Sequence, residues 1–291
     1  MSSIQTMKFW ATVIKSYSDV PGEFVDYFEA YSNQDTAFPY TVFAPPYESG
    51  KYKTPAKILF ILNDKIVFLE KEKPGITSTT YYFKDIALLE TGKELLHSWM
   101  KVEASSNGGL VSSTIEYNTS SGEVFMPIIE KIRTSINEFG QSDLSGEQSK
   151  FDYLSAISYK FMNYSRGSIH YGEKVVGFVL QQCIRKLFLD LYIKKFYKTI
   201  TKAHMSILTD KEIILIKETS HAISYGHIWT YIPLHRVEGI STSINKESST
   251  VLMTLHLNHG GQISSIFDLS NKPNLDTLLR DFRDVKKFVH K

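Results

Sequence analysis

The sequence has a single cysteine, Cys183. That excludes an internal disulfide and any zinc site built from several thiolates, and it points to a reducing compartment. Long apolar runs are missing as well: no window approaches the roughly 18 to 20 uninterrupted residues that a membrane-crossing helix needs, and no transmembrane segment is expected. Charge of one sign is scarce, because 33 basic residues against 31 acidic ones leave a net of +2 over 291 residues. A sum that small lacks the basic footprint of a nucleic-acid-binding domain, so no nucleic-acid partner is expected. The first residues, Met1 to Lys8, lack a basic region followed by an apolar stretch. No signal peptide is read there, and the expected location is cytoplasmic, peripheral to a membrane if a lipid is the partner.

Readable catalytic signatures are absent too. There is no glycine-lysine-serine/threonine phosphate loop, no glycine triplet between a strand and a helix, and no serine flanked at two residues by glycines. Asn107-Gly108-Gly109 reads as a hairpin turn. Asp64 and Asp210 recur in turns, where an aspartate bonds nearby backbone.

What is present is an ordinary globular composition, 42% hydrophobic and 22% charged, in a chain of two-domain length. It carries a repeat. Lys57 to Leu62 meets Asn63-Asp64-Lys65 and resumes as Ile66 to Glu70; His204 to Leu208 meets Thr209-Asp210-Lys211 and resumes as Glu212 to Ile216. Each is a pair of β-branched runs broken by a polar turn, the pattern of a β-hairpin. Aromatic-rich strands follow at Thr80 to Phe83 and Trp229 to Pro233, then two further strands in each half. An amphipathic helix closes each, with Ile128, Ile129, Ile132, Ile136 and Phe139 on one face of the first and Leu275, Leu278, Leu279, Phe282, Val285 and Phe288 on one face of the second. Pro127 and Pro273 sit near the expected helix starts. The order is thus written twice at an offset of about 146 residues, a duplicated α+β architecture. The expected domains are a helical N-terminal extension over 1–37, a first domain over 38–140, a polar linker over 141–150 and a second domain over 151–291.

A strand meander closed by one C-terminal helix resembles the pleckstrin-homology-like barrel. The second half is similar to its bacterial members through Gly172-Glu173-Lys174-Val175-Val176, Ala203-His204, Leu208-Thr209-Asp210-Lys211-Glu212 and Trp229 to Leu234. Those members commonly carry proline where Tyr171 stands. The resemblance implies two tandem antiparallel β-barrels, each closed by a helix, acting as a binding scaffold for lipid headgroups, peptides or self-assembly. It implies no catalytic residues.

Seven of the nine histidines follow position 200: His204, His221, His227, His235, His256, His259 and His290. Their spacing does not converge on a metal, and no metal or other cofactor is expected. His204, opening a strand, is expected to be packed or bonded to backbone. Trp229 and Tyr231 alternate with Thr230 and Ile232, so one pair should face the core.

The most distinctive stretch is 185–202, an insertion expected between the first two strands of the second domain. Six basic residues against one acid give it a net +5 and leave −3 for the rest of the chain. Read at helical spacing, Lys186, Asp190, Lys194, Lys198 and Lys202 form a stripe, while Leu189, Ile193, Phe196 and Ile200 form another. That is the profile of an interfacial amphipathic helix, whose basic residues are each worth about 1 kcal/mol near an anionic surface. Three readings stay open: the apolar face packs on its own barrel or against the first domain, the segment meets an anionic lipid or ligand, or it recruits a protein partner, including a second copy of the chain. The candidate contact residues are Arg185, Lys186, Lys194, Lys195, Lys198 and Lys202. The expected function is non-catalytic binding or scaffolding through them; the alternative is an interaction or self-assembly module using an exposed strand edge or the apolar face of 185–202.

Overall fold

A computed structural model describes residues 10–31, 38, 40–49, 52–106, 109–191, 194–219, 226–258 and 260–289. The chain divides into two compact units, Met1–Asn137 and Glu138–Lys291.

The first unit opens with strand β1 (Thr12–Val13) and a short helix α1 (Val25–Glu29), followed by β2 (Thr41–Ala44), β3 (Tyr47–Ser49) and β4 (Tyr52–Thr54). Then come β5 (Lys57–Leu62), β6 (Lys65–Lys71), β7 (Ile76–Tyr82), β8 (Ile86–Glu94), β9 (His97–Ser106), β10 (Gly109–Asn118) and helix α2 (Gly122–Ile136). β1, β2, β5, β6 and β7 pair in that order, β3 and β4 form a separate hairpin, and β8, β9 and β10 make an antiparallel meander. The uninterrupted run from Ile58 to Leu62 explains why β5 is buried throughout: with no polar face to give to water, it must be covered on both sides. One cover comes from the N-terminal segment, where Ile14, Val20, Phe24 and Phe28 pack on Ile58, Phe60, Leu62, Val67 and Leu69.

The N-terminal residues are therefore part of this unit's core and only partly helical. Thr12 and Val13, expected in a helix, pair with Phe43 and Val42 as a strand, and Phe9 lies outside the described residues. β-branched side chains next to an unpaired strand edge favour that outcome. Helix α2 buries Phe125, Ile128, Ile129 and Ile132 and begins five residues before Pro127, which it accommodates in its interior. Phe139 lies beyond it, in the second unit, stacked on His170 with ring centroids 4.2 Å apart.

The second unit comprises α3 (Leu144–Ser149), α4 (Ser155–Ser168), β11 (Val175–Gln181), β12 (Ile184–Leu191), β13 (Lys194–Thr201), β14 (His204–Thr209), β15 (Glu212–Glu218), β16 (His227–Pro233), β17 (Val237–Asn245), β18 (Thr250–Leu257), β19 (Gln262–Asp268) and α5 (Lys272–Val289). β11, β14, β15 and β16 are neighbours in that order, β12 and β13 stand apart as a hairpin, and β17, β18 and β19 form a three-stranded sheet. The polar run expected as a linker is folded. Asp143 caps α3 by accepting from the Ser145 amide at 3.1 Å, and Glu147 and Lys150 clamp the start of β11 through the Val175 amide (2.6 Å) and carbonyl (2.9 Å).

Each unit repeats one order: a first strand, an inserted hairpin, three strands, a three-strand meander and a helix. The closed barrels expected from the pleckstrin-homology-like resemblance are not formed. Every sheet runs from one end strand to another, with no pairing that returns to the first among the described residues. Sequential antiparallel order is written in local runs and turns, whereas closure demands that tilt and stagger match around a full circle. The architecture is a set of open antiparallel sheets with helices, in place of the two pleckstrin-homology-like barrels expected.

Candidate functional site

Residues 185–202 lie in the β12–β13 hairpin, not in a helix. The physical reason is visible in the residues: positions four apart share a face in a strand as well as in a helix, so the lysine stripe does not separate the two. Ile184, Phe196, Tyr197, Thr199, Ile200 and Thr201 then tip the balance toward a strand.

In the hairpin the basic residues are divided between faces. Lys186 lies directly opposite Lys198, whereas Arg185 opposes Thr199 and Lys195 opposes Asp190. Arg185, Lys195 and Lys198 are exposed, Lys186 and Lys202 half-buried, and the side chain of Lys194 lies outside the described residues, as do Tyr192 and Ile193. Large apolar groups stand among them: Leu187 opposes Tyr197, and these are 49% and 59% exposed, with Phe196 at 39%. The expected segregation into one basic and one apolar face is thus replaced by a ribbon that mixes both. Its aromatic and aliphatic exposure was not legible from the charge pattern, although the β-branched content was the signal that could have revealed it.

The hairpin's base is tied down. Gln181, buried at the end of β11, accepts from the Asp268 amide at 2.7 Å and from Asn271 Nδ2 at 2.9 Å. The Ser270 hydroxyl and amide hold the Asp268 carboxyl below the usual carboxylate range, and the positive charge of Lys186 adds to that effect. On the other strand, the Lys202 carbonyl meets Nδ1 of His204 at 2.9 Å. A carbonyl only accepts, so Nδ1 carries the proton and the buried Nε2 is left with no hydrogen-bond partner among the described residues. His204 also packs edge-on against Phe267 at 4.7 Å, and burial pushes its pKa down to about 4. It is both packed and backbone-bonded.

Beside the hairpin lies a groove of about 730 Å³, formed by Ile200 of β13 and the outer face of the β17–β19 sheet. Its floor is a rung of three residues in register, Ser243, Leu252 and Ile266. Thr250 and Asp268 oppose each other one rung further along the same face, which places Lys186 and the groove at the same end of the sheet. Ile200 is the extra residue of a bulge opposite Ile184 and Arg185. Ser248 and Lys246 from the β17–β18 turn complete the rim, with Glu247.

Among the described residues the histidines do not assemble. His227 stacks on Tyr164 at 4.1 Å, His256 Nε2 lies 2.7 Å from the Ser241 hydroxyl, and burial with the Arg236 charge lowers the pKa of His235. His221, His259 and His290 lie outside the described residues. Among the described residues, no group of three or more histidine, cysteine, aspartate or glutamate side chains is placed to hold a metal ion. Tyr231 and Ile232 are buried with Thr230, and Trp229 is half-buried against Tyr164 and His227. No helix among the described residues is long and apolar enough to cross a membrane. No family model matches the chain, and no curated protein matches it.

Proposed function

We propose that this protein is a non-catalytic binding module that contacts an anionic membrane surface through the β12–β13 hairpin. The observation that carries the reading is the mixture of exposed groups on that hairpin: Leu187, Phe196 and Tyr197 stand beside the exposed Arg185, Lys195 and Lys198. An interfacial segment needs both kinds of contact, lysine and arginine for the anionic headgroups and tyrosine, phenylalanine or leucine for the boundary below them. The local charge of +5 against −3 elsewhere orients the hairpin toward such a surface.

The test is co-sedimentation with phosphatidylcholine vesicles with and without phosphatidylserine. Binding should require the anionic lipid, weaken as salt is raised, and be lost in the Lys195→Glu/Lys198→Glu double variant. Binding that ignores both salt and the variant would exclude the reading. A second reading, self-assembly, draws on β17, an end strand on which Ile244 is 50% exposed. A lipid-independent rise in mass with concentration, measured by light scattering, would favour it.

A further inference from the structure

We infer that the groove between β13 and the outer face of β17–β19 binds the alkyl chain of a single anionic amphiphile, whose headgroup meets Lys186 and Lys198. This rests on the reading of the hairpin as a contact for anionic lipid and names what one lipid molecule would do there.

Three observations support it. The groove is within the size range of small-molecule sites, and its floor sets Leu252, 37% exposed, and Ile266 against Ile200 across the gap. An apolar strip left open to water inside a concave surface is stabilised by an apolar occupant. Second, the hairpin brings cations toward one end of the strip, where Lys246 and Glu247 of the β17–β18 turn also stand on the rim: Lys186 and Lys198 are cross-strand partners, and Lys186 is near enough to Asp268 to add to the lowering of its pKa. Asp268 is itself engaged by the Ser270 amide at 2.9 Å and hydroxyl at 2.7 Å, so its charge is already partly satisfied. Third, Ser243, Ser248 and Thr250 line the apolar strip, the last two with their hydroxyls 2.6 Å apart, and this polar lining suits the region joining chain to headgroup. A free inorganic anion would use the lysines and leave the floor empty. A neutral chain would use the floor and leave the lysines unused.

Titration calorimetry with monomeric alkyl phosphates of increasing chain length tests the assignment, with inorganic phosphate and alkyl maltosides as controls. Affinity should rise about two- to fourfold per added methylene until the floor is covered, the gain expected for burying a CH₂ group. Inorganic phosphate and the maltosides should each bind at least tenfold more weakly than the longest alkyl phosphate. Leu252→Trp, which fills the groove without changing charge, should abolish alkyl phosphate binding while vesicle co-sedimentation persists. Lys198→Glu should weaken both. Near-ultraviolet circular dichroism establishes that each variant is folded, and Leu252→Ser, which removes apolar floor without adding bulk, is the second probe. Affinity independent of chain length, or unchanged binding in both Leu252 variants, overturns the inference and leaves the membrane reading standing. Loss of vesicle binding in the wild-type chain with alkyl phosphate binding intact overturns the membrane reading alone.

Discussion

The Thr209 hydroxyl lies 2.6 Å from Glu173 Oε1, and both residues are fully buried. The other carboxylate oxygen accepts from the His170 amide at 2.8 Å, while Asp210 Oδ1 accepts from the Lys174 amide at 2.8 Å. One turn of the β14–β15 hairpin is thereby stitched to the segment entering β11. Replacing Glu173 by alanine leaves the Thr209 hydroxyl only the Glu212 carbonyl, 3.0 Å away, and strips the half-buried His170 amide of its acceptor. The Glu173→Ala variant should lose about 3 kcal/mol in urea unfolding, with Glu173→Gln losing less. A change below about 0.5 kcal/mol would show that the stitch contributes nothing.

His204 makes stability depend on pH. Its ring is buried with Nε2 unpartnered, so the folded state disfavours the charged form and holds the pKa at about 4, against 6.5 for an open imidazole. Between those values the unfolded chain takes up a proton that the folded chain refuses. The contribution is complete above pH 6.5 and is lost as pH falls toward 4, by roughly 3 kcal/mol at most, with no further loss below. His204→Phe should flatten this slope. His235, whose pKa burial and the Arg236 charge also lower, leaves a residual slope below pH 6.5. Unfolding curves that are equally steep in pH for wild type and variant would refute the assignment.

Gly92 makes room for Trp99, its direct cross-strand partner. A Cβ on Gly92 would fall 2.0 Å from the indole, whose Nε1 donates to Glu90 at 3.0 Å. Gly92→Ala should displace the indole, cost about 2 kcal/mol and shift tryptophan emission to the red. Unchanged emission would mean that the ring has another resting place.

Tyr197, 59% exposed on the hairpin, offers a reporter of membrane contact. In a Tyr197→Trp variant, emission should move to the blue when phosphatidylserine vesicles are added and not with phosphatidylcholine alone, because the indole passes into the interfacial region. A spectrum indifferent to anionic vesicles, recorded while the protein co-sediments with them, would place the contact elsewhere.

Legibility followed the range of the interaction. The hairpins at Lys57–Lys71 and His204–Glu218 were readable because each is two β-branched runs around a polar turn, a pattern complete within about fifteen residues. The closing helices were readable from their apolar stripes, although α2 starts five residues before the proline that was expected to open it. The stretch 185–202 misled because a four-residue spacing is shared by helices and strands, so its charges were counted correctly and its shape was not. The N-terminal segment misled in a similar way. Its apolar residues were found, yet Thr12 and Val13 take strand geometry because a partner strand, β2, lies beside them.

By itself the sequence determined the hairpins at Lys57–Lys71 and His204–Glu218, the closing helices, their doubled order and the concentration of charge in one insertion, since these depend on composition, periodicity and turn chemistry. Only the tertiary structure decided that the sheets stay open, that Lys186 faces Lys198, that His204 loses its second partner, and that Leu252 and Ile266 line a groove with Ile200. Those outcomes depend on which surfaces meet across tens of residues, and no local period encodes them.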